Sequence, residues 1–125
     1  MGRLREIVVD CTHPAALARF WAARLDGYAV RAYDEAEIAR LAALGLTPET
    51  DPTVLVDGPG PLLCFQRVEG RHYDNNRVHL DIAVADRQAA TAAALRDGGT
   101  LVREADGYSV LKDPEGNQFC LVDRK

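Results

Sequence analysis

Two stretches of the chain, residues 4–11 and 77–84, alternate apolar and polar side chains with a period of two. That alternation predicts strands with Ile7 and Val9, or Leu80, Ile82 and Val84, on one face. The opposite face then carries Glu6, Val8 and Asp10 in the first stretch and His79, Asp81 and Ala83 in the second. Each strand runs into a stretch of helical spacing. In the first, Pro14 stands at the opening helical position, Leu17, Phe20, Trp21 and Leu25 follow, and Gly27 closes the helix. In the second, Asp86 caps a helix over residues 87–97 that Gly98 and Gly99 terminate. Residues 28–33 and 100–103 read as further strands.

The second half of each pattern repeats more closely still. The segment VLVDGPGPLLC that starts at Val54 overlays VLKDPEGNQFC, starting at Val110, without a gap. Val, Leu, Asp, Gly and Cys recur in place, which predicts strand, tight turn and strand in both copies. Here the offset is 56 residues (Val54 onto Val110), whereas the first strands correspond at an offset of 73 (Glu6 onto His79). The first half therefore carries 17 extra residues, most of them in the Ala-rich stretch 34–45. Ile38, Leu41, Ala42 and Leu44 give that stretch an apolar side, so it is expected to form a surface helix over the first module, with a lid over a cleft as the alternative. The chain reads as one domain, residues 1–125, made of two strand-helix-strand-strand-strand modules at about 4–69 and 77–123. The polar, turn-rich residues 70–76 join them.

Composition narrows the possibilities. With 125 residues, 47% hydrophobic and 27% charged, the chain suits one ordinary globular domain. A net charge of -4 and a pI near 5.3 lack the basic excess that binding to a phosphate backbone requires, so no nucleic-acid partner is expected. No run approaches the roughly 20 apolar residues that cross a bilayer, the N-terminus has no signal-peptide pattern, and Glu6 stands where a myristoylation motif needs Ser or Thr. Neither membrane nor lipid anchor is expected. The three cysteines, Cys11, Cys64 and Cys120, are odd in number and far apart, which points away from a disulfide framework and towards a reducing cytoplasm. Arg greatly outnumbers Lys, a bias associated with GC-rich bacterial coding.

A module of this kind has one sheet face covered by its helix and the other bare. Two copies are therefore expected to form an α+β fold, an eight-stranded, open, barrel-like sheet around a cleft. Glu6, Val8 and Asp10, together with His79, Asp81 and Ala83, should face that cleft. Such inward polar groups are costly unless water, ligand or metal satisfies them.

The pairing of Phe20-Trp21 with the stretch from Leu25 to Tyr28, the doubled hairpins, the run Asn76-Arg77-Val78-His79-Leu80-Asp81 and the ending DPEGNQFCL from Asp113 resemble the vicinal oxygen chelate superfamily, specifically its small glyoxalase-like domains. The resemblance covers essentially the whole chain. It implies paired βαβββ modules, a ligand cleft, homodimer assembly and, in catalytic relatives, a divalent metal. Metal-using members take a ligand from the first and last strand of each module, usually His or Gln and then Glu. The corresponding positions here are Glu6, Cys64, His79 and Cys120, of which His79 alone keeps the usual identity. Hard ions seek oxygen ligands and thiols bind well only as thiolates, so no resident metal is expected. A tetrahedral Zn²⁺ held by those four residues is the alternative.

Individual residues carry competing readings. His79 is a candidate base or ligand donor, or else a structural partner of Asp81, which points the same way two residues on. Glu6 and Asp10 are candidate acids, or partners for backbone and arginine groups. Cys64, Gln66, Cys120 and Tyr108 are candidate ligand contacts, and Tyr28 and Phe65 could join them if they are not simply core. His13 suits a helix-capping place, and His72 and Tyr73 fall in the joint. Two functions follow from the resemblance. One is a lyase- or isomerase-like enzyme in which His79, with Glu6 or Asp81, moves protons on a small organic molecule. The other is a non-catalytic protein that sequesters a hydrophobic or antibiotic-like compound.

Overall fold

Each half of the chain builds its own four-stranded sheet in the computed structural model, which describes residues 4–70 and 78–124. The first comprises β1 (Glu6–Cys11), α1 (Pro14–Ala22), β2 (Ala29–Val30), α2 (Glu35–Ala43), β3 (Thr53–Asp57) and β4 (Leu62–Arg67). The second comprises β5 (Leu80–Val84), α3 (Arg87–Arg96), β6 (Thr100–Ala105), β7 (Tyr108–Lys112) and β8 (Gln118–Asp123). The strand orders are β1-β4-β3-β2 and β5-β8-β7-β6, with β1 parallel to β4, β5 parallel to β8 and the other pairs antiparallel. Identical topology in both halves establishes the expected tandem βαβββ arrangement in an α+β fold. The chain divides into two compact units between residues 71 and 72. Most of the joint, and with it His72 and Tyr73, lies outside the described residues.

Alternation sets the two faces of each sheet. In the first unit Val54 pairs with Phe65 and Val56 with Leu63, and all four are buried on the side where α1 packs against β3 and β4. Leu17, Ala18, Phe20 and Trp21 fill the helix side of that core. Phe20 and Trp21, although adjacent, are both buried, with rings edge to face at 5.7 Å. In the second unit Leu111, Phe119 and Leu121 are buried against the Ala-rich α3, which contributes Thr91 and Ala94. Burial of each large apolar side chain contributes about 2 kcal/mol.

Caps and turns follow local chemistry. The Asp86 carboxylate accepts from the Ala89 amide and the Asp34 carboxylate from the Glu37 amide, so α3 and α2 begin on side-chain caps. His13 does occupy the N-cap of α1, but its side chain makes no capping bond there. Pro14 starts that helix by removing an amide that would otherwise need a partner. The strand expected over residues 28–33 shrinks to two residues. Arg31 still donates its amide to Leu55 at 2.9 Å, after which the chain leaves the sheet for α2. The strand expected over residues 100–103 instead runs to Ala105, with a register slip inside it. No helix among the described residues is long and apolar enough to cross a membrane.

Candidate functional site

Residues paired directly across neighbouring strands share a face, so the register locates the bare side of the second sheet. Asp81 pairs with Cys120 and Cys120 with Val110; one step along, Ala83 pairs with Val122 and Val122 with Tyr108. All of these residues except Ala83 line a cavity of about 490 Å³, together with His79, Gln118, Val102 and Arg103. His79 Nε2 stands 3.5 Å from Asp81 Oδ1, with side chains 57% and 62% exposed. At that separation and exposure the pair contributes little to stability, at most about 1 kcal/mol. Both groups are open to anything entering the cavity. Donor atoms of His79, Asp81 and Cys120 lie within 4.8 Å of one another. Burial pushes the Cys120 thiol up, the Asp81 charge and hydrogen bond raise it further, and Arg103 offsets this in part. The sulfur is a neutral thiol at physiological pH.

The first sheet presents the equivalent face with different chemistry. Val8 pairs with Cys64 and Asp10 with Gln66, while Leu55 and Thr53 flank them from β3. Glu6, Asp10, Cys64 and Gln66 therefore share one face, as alternation predicted. Val8 stands where the second module has Asp81, and Glu6 where it has His79, so this face has no imidazole–carboxylate pair. Cys64 is buried, and its thiol is raised by that burial and by the nearby Glu6 and Asp10 charges. Alongside, α2 and β3 border a second cavity of about 460 Å³, where Tyr33 donates its hydroxyl to buried Asp51 at 2.7 Å and Leu55 forms part of the wall.

Phe65 and Tyr28, for which core packing was the alternative to ligand contact, are structural. Phe65 is fully buried on the α1 side. Tyr28 donates its hydroxyl to the Pro61 carbonyl at 2.9 Å, and its ring fills the space beside Gly58 and Gly60 in the β3–β4 turn. Tyr108 does line the second cavity. Sequence reasoning missed Arg103, whose guanidinium carbon lies 5.5 Å from the Tyr108 ring centroid and whose Nη1 is 3.4 Å from the Tyr108 hydroxyl. The available signal was the break in alternation at Leu101-Val102, two apolar residues in succession before Arg103.

The donor set does not fit the hard divalent ion of metal-using relatives. Thiols replace carboxylates at the last-strand positions, Cys64 and Cys120, and both are held in the protonated form. His79, Asp81 and Cys120 offer one nitrogen, one oxygen and one sulfur, a set closer to zinc chemistry, but only after the sulfur loses its proton.

Two tandem βαβββ units, each with a bare sheet face, define the vicinal oxygen chelate fold. The chain belongs to the glyoxalase-like domain family, which matches residues 6–122. No curated protein sequence matches it. Among solved structures it resembles a glyoxalase/bleomycin resistance protein/dioxygenase family enzyme from Burkholderia phytofirmans PsJN, with TM-score 0.68, 16% identity and 98% of both chains covered. It also resembles a glyoxalase-related enzyme from Fulvimarina pelagi, with TM-score 0.69, 14% identity, and 99% of this chain and 89% of that one covered. The trypanothione-dependent glyoxalase I of Leishmania major matches with TM-score 0.63 and 21% identity over 98% of this chain and 87% of that one. Identities this low establish the shared fold. The fold is that of a small-molecule-binding or catalytic vicinal oxygen chelate protein.

Proposed function

We propose that this chain binds a small organic molecule on the bare face of its second module and moves a proton on it through His79, with Asp81 as the orienting carboxylate, without a resident divalent metal. The observation that carries the reading is the solvent-open His79–Asp81 pair at 3.5 Å in the wall of a cavity of about 490 Å³. Imidazole is a general acid–base group, and a carboxylate beside it fixes its orientation. The neutral Cys120 thiol beside them supplies a soft, weakly polar wall. A metal-free site is supported by the two protonated thiols that stand where oxygen ligands would be needed. Glu6, Asp10 and Gln66 form a polar face on the first module and are assigned to ligand contact there. We place the protein in a reducing cytoplasm, as its three free cysteines favour, and as a homodimer, as the family resemblance implies.

The test is to screen small organic molecules by amide chemical-shift changes in the full chain. Affinity and turnover are then measured for the best ligand in wild type and in His79→Ala. Loss of turnover with affinity reduced less than about 10-fold supports proton transfer. Loss of affinity in a protein with no turnover supports the sequestering alternative. Unchanged values for both would remove His79 from the site. Stoichiometric Zn²⁺, Ni²⁺ or Mn²⁺ in protein purified without chelator would overturn the metal-free reading.

A further inference from the structure

The register of β6 against β7 slips by one residue. Thr100 pairs with Lys112 and Leu101 with Leu111, yet the next pair is Arg103 with Val110, and Val102 is left over. This is a β-bulge, in which two residues of one strand face a single residue of its neighbour. Its effect on side-chain direction is large. In an unbroken ladder Val102 would face Val110, and Arg103 would face Ser109, which is fully buried. The bulge instead brings both Val102 and Arg103 to the cavity, opposite Val110. Glu104 pairs with Ser109 and so lies across the other face from Arg103.

From this geometry we infer that Arg103 anchors an anionic group of the ligand, so that the cavity takes small organic acids: a carboxylate on the guanidinium, with an apolar body against Val102, Val110 and Val122. The inference rests on the binding reading of the second-module face given above.

A comparison with paired arginines elsewhere in the chain supports it. Arg19, Arg31, Arg40, Arg67 and Arg87 each pair with a carboxylate at 3.1 Å or less. Among the described residues no carboxylate pairs with Arg103, whose neighbours are the ring and hydroxyl of Tyr108. The acid in the same cavity, Asp81, is engaged by His79 and by Cys120. The Tyr108 ring and hydroxyl hold the guanidinium beside the cavity through Nη1, and the planar fork of its N–H groups matches a carboxylate with two parallel bonds.

The probes are benzoate and phenylacetate, each compared with its carboxamide, titrated into isotope-labelled full-length protein and read at the amides of Arg103, Tyr108, Val110 and Val122. The carboxylates are expected to bind about 10-fold or more tightly than the amides, since hydrogen bonds between charged partners are stronger than those to a neutral amide. In Arg103→Gln that preference should fall to about 1 with the weaker amide binding retained, and Arg103→Lys should keep part of it. Equal binding of acids and amides at these residues in wild type overturns the anion anchor and leaves the small-molecule reading standing. Absence of shifts from all four probes overturns both.

Discussion

Asp113 holds Asn117 through both carboxylate oxygens: Oδ1 accepts from the Asn117 amide at 2.9 Å and Oδ2 from Asn117 Nδ2 at 2.8 Å, with both residues buried. Oδ1 also accepts from the Glu115 amide, and the Asp113 amide donates back to the Asn117 carbonyl. The run Asp-Pro-Glu-Gly-Asn, one of the set of motifs that together carry the family resemblance, is thus the scaffold of the β7–β8 turn. Asp113→Ala strands several donors in a buried turn and should cost about 2–4 kcal/mol. Asp113→Asn, which keeps one acceptor oxygen, should cost less. Urea denaturation of the two variants measures the difference, and equal stability of Asp113→Ala and wild type would refute this role.

The matching turn of the first module is closed by an aromatic ring. A Cβ added at Gly58 would collide with the Tyr28 ring. Gly58→Ala should therefore destabilise by about 1–3 kcal/mol, and Tyr28→Phe, which loses only the bond to Pro61, by about 1 kcal/mol. Combining Gly58→Ala with Tyr28→Ala should cost clearly less than the sum of the two single changes, because the collision disappears with the ring. Additivity in that cycle would show the two residues to be independent.

The thiols of Cys64 and Cys120, each on the last strand of its module, are raised above the ordinary thiol value of 9.0, chiefly by burial. Thiolate is the reactive form, so at pH 7 iodoacetamide should modify Cys64 and Cys120 more slowly than a free thiol, with the rate still rising beyond pH 9. The linkage has a definite sign. Between the ordinary and raised values the unfolded chain has already lost protons that the folded chain retains, so stability present below the ordinary value declines as pH rises through that window. Mass spectrometry of timed alkylation reads the first effect and denaturation at pH 8 and pH 10 the second. Faster modification than a free thiol at pH 7 would contradict the assignment.

Only Leu41 of α2 is buried, at 1% exposure, whereas Ile38 is 45% exposed. Leu41→Ala should cost about 2–4 kcal/mol and Ile38→Ala about 0.5 kcal/mol or less. Thermal unfolding of the pair tests whether the inserted helix is anchored by that single side chain.

Much of this architecture was written in local patterns. Alternation in the first strands separated Ile7 and Val9 from Glu6 and Asp10, and Leu80 and Ile82 from His79 and Asp81. The gapless overlay of Val54–Cys64 on Val110–Cys120 fixed two equivalent hairpins. Asp86 and Pro14 marked helix starts by chemistry that acts within one turn. What escaped notice depends on partners distant in sequence. Arg103 reaches the cavity because its strand slips against β7, and hydrogen-bond register has no dedicated residue code. Phe65 and Tyr28 stayed open between core and ligand contact because aromatic character does not say which face of a sheet, or which glycine, a ring will meet. The contact between His79 and Asp81, one of the two readings of that histidine, was legible because it needs only the two-residue period of extended chain.

The brevity of β2 bears on how this protein avoids self-templating. A sheet edge recruits foreign strands in proportion to the unpaired backbone it displays. An incoming strand would meet two residues of ladder at Ala29–Val30 before the chain bends away into the inserted helix. That border offers a short template to an incoming strand, and the charged, half-exposed Arg31 stands immediately beyond it.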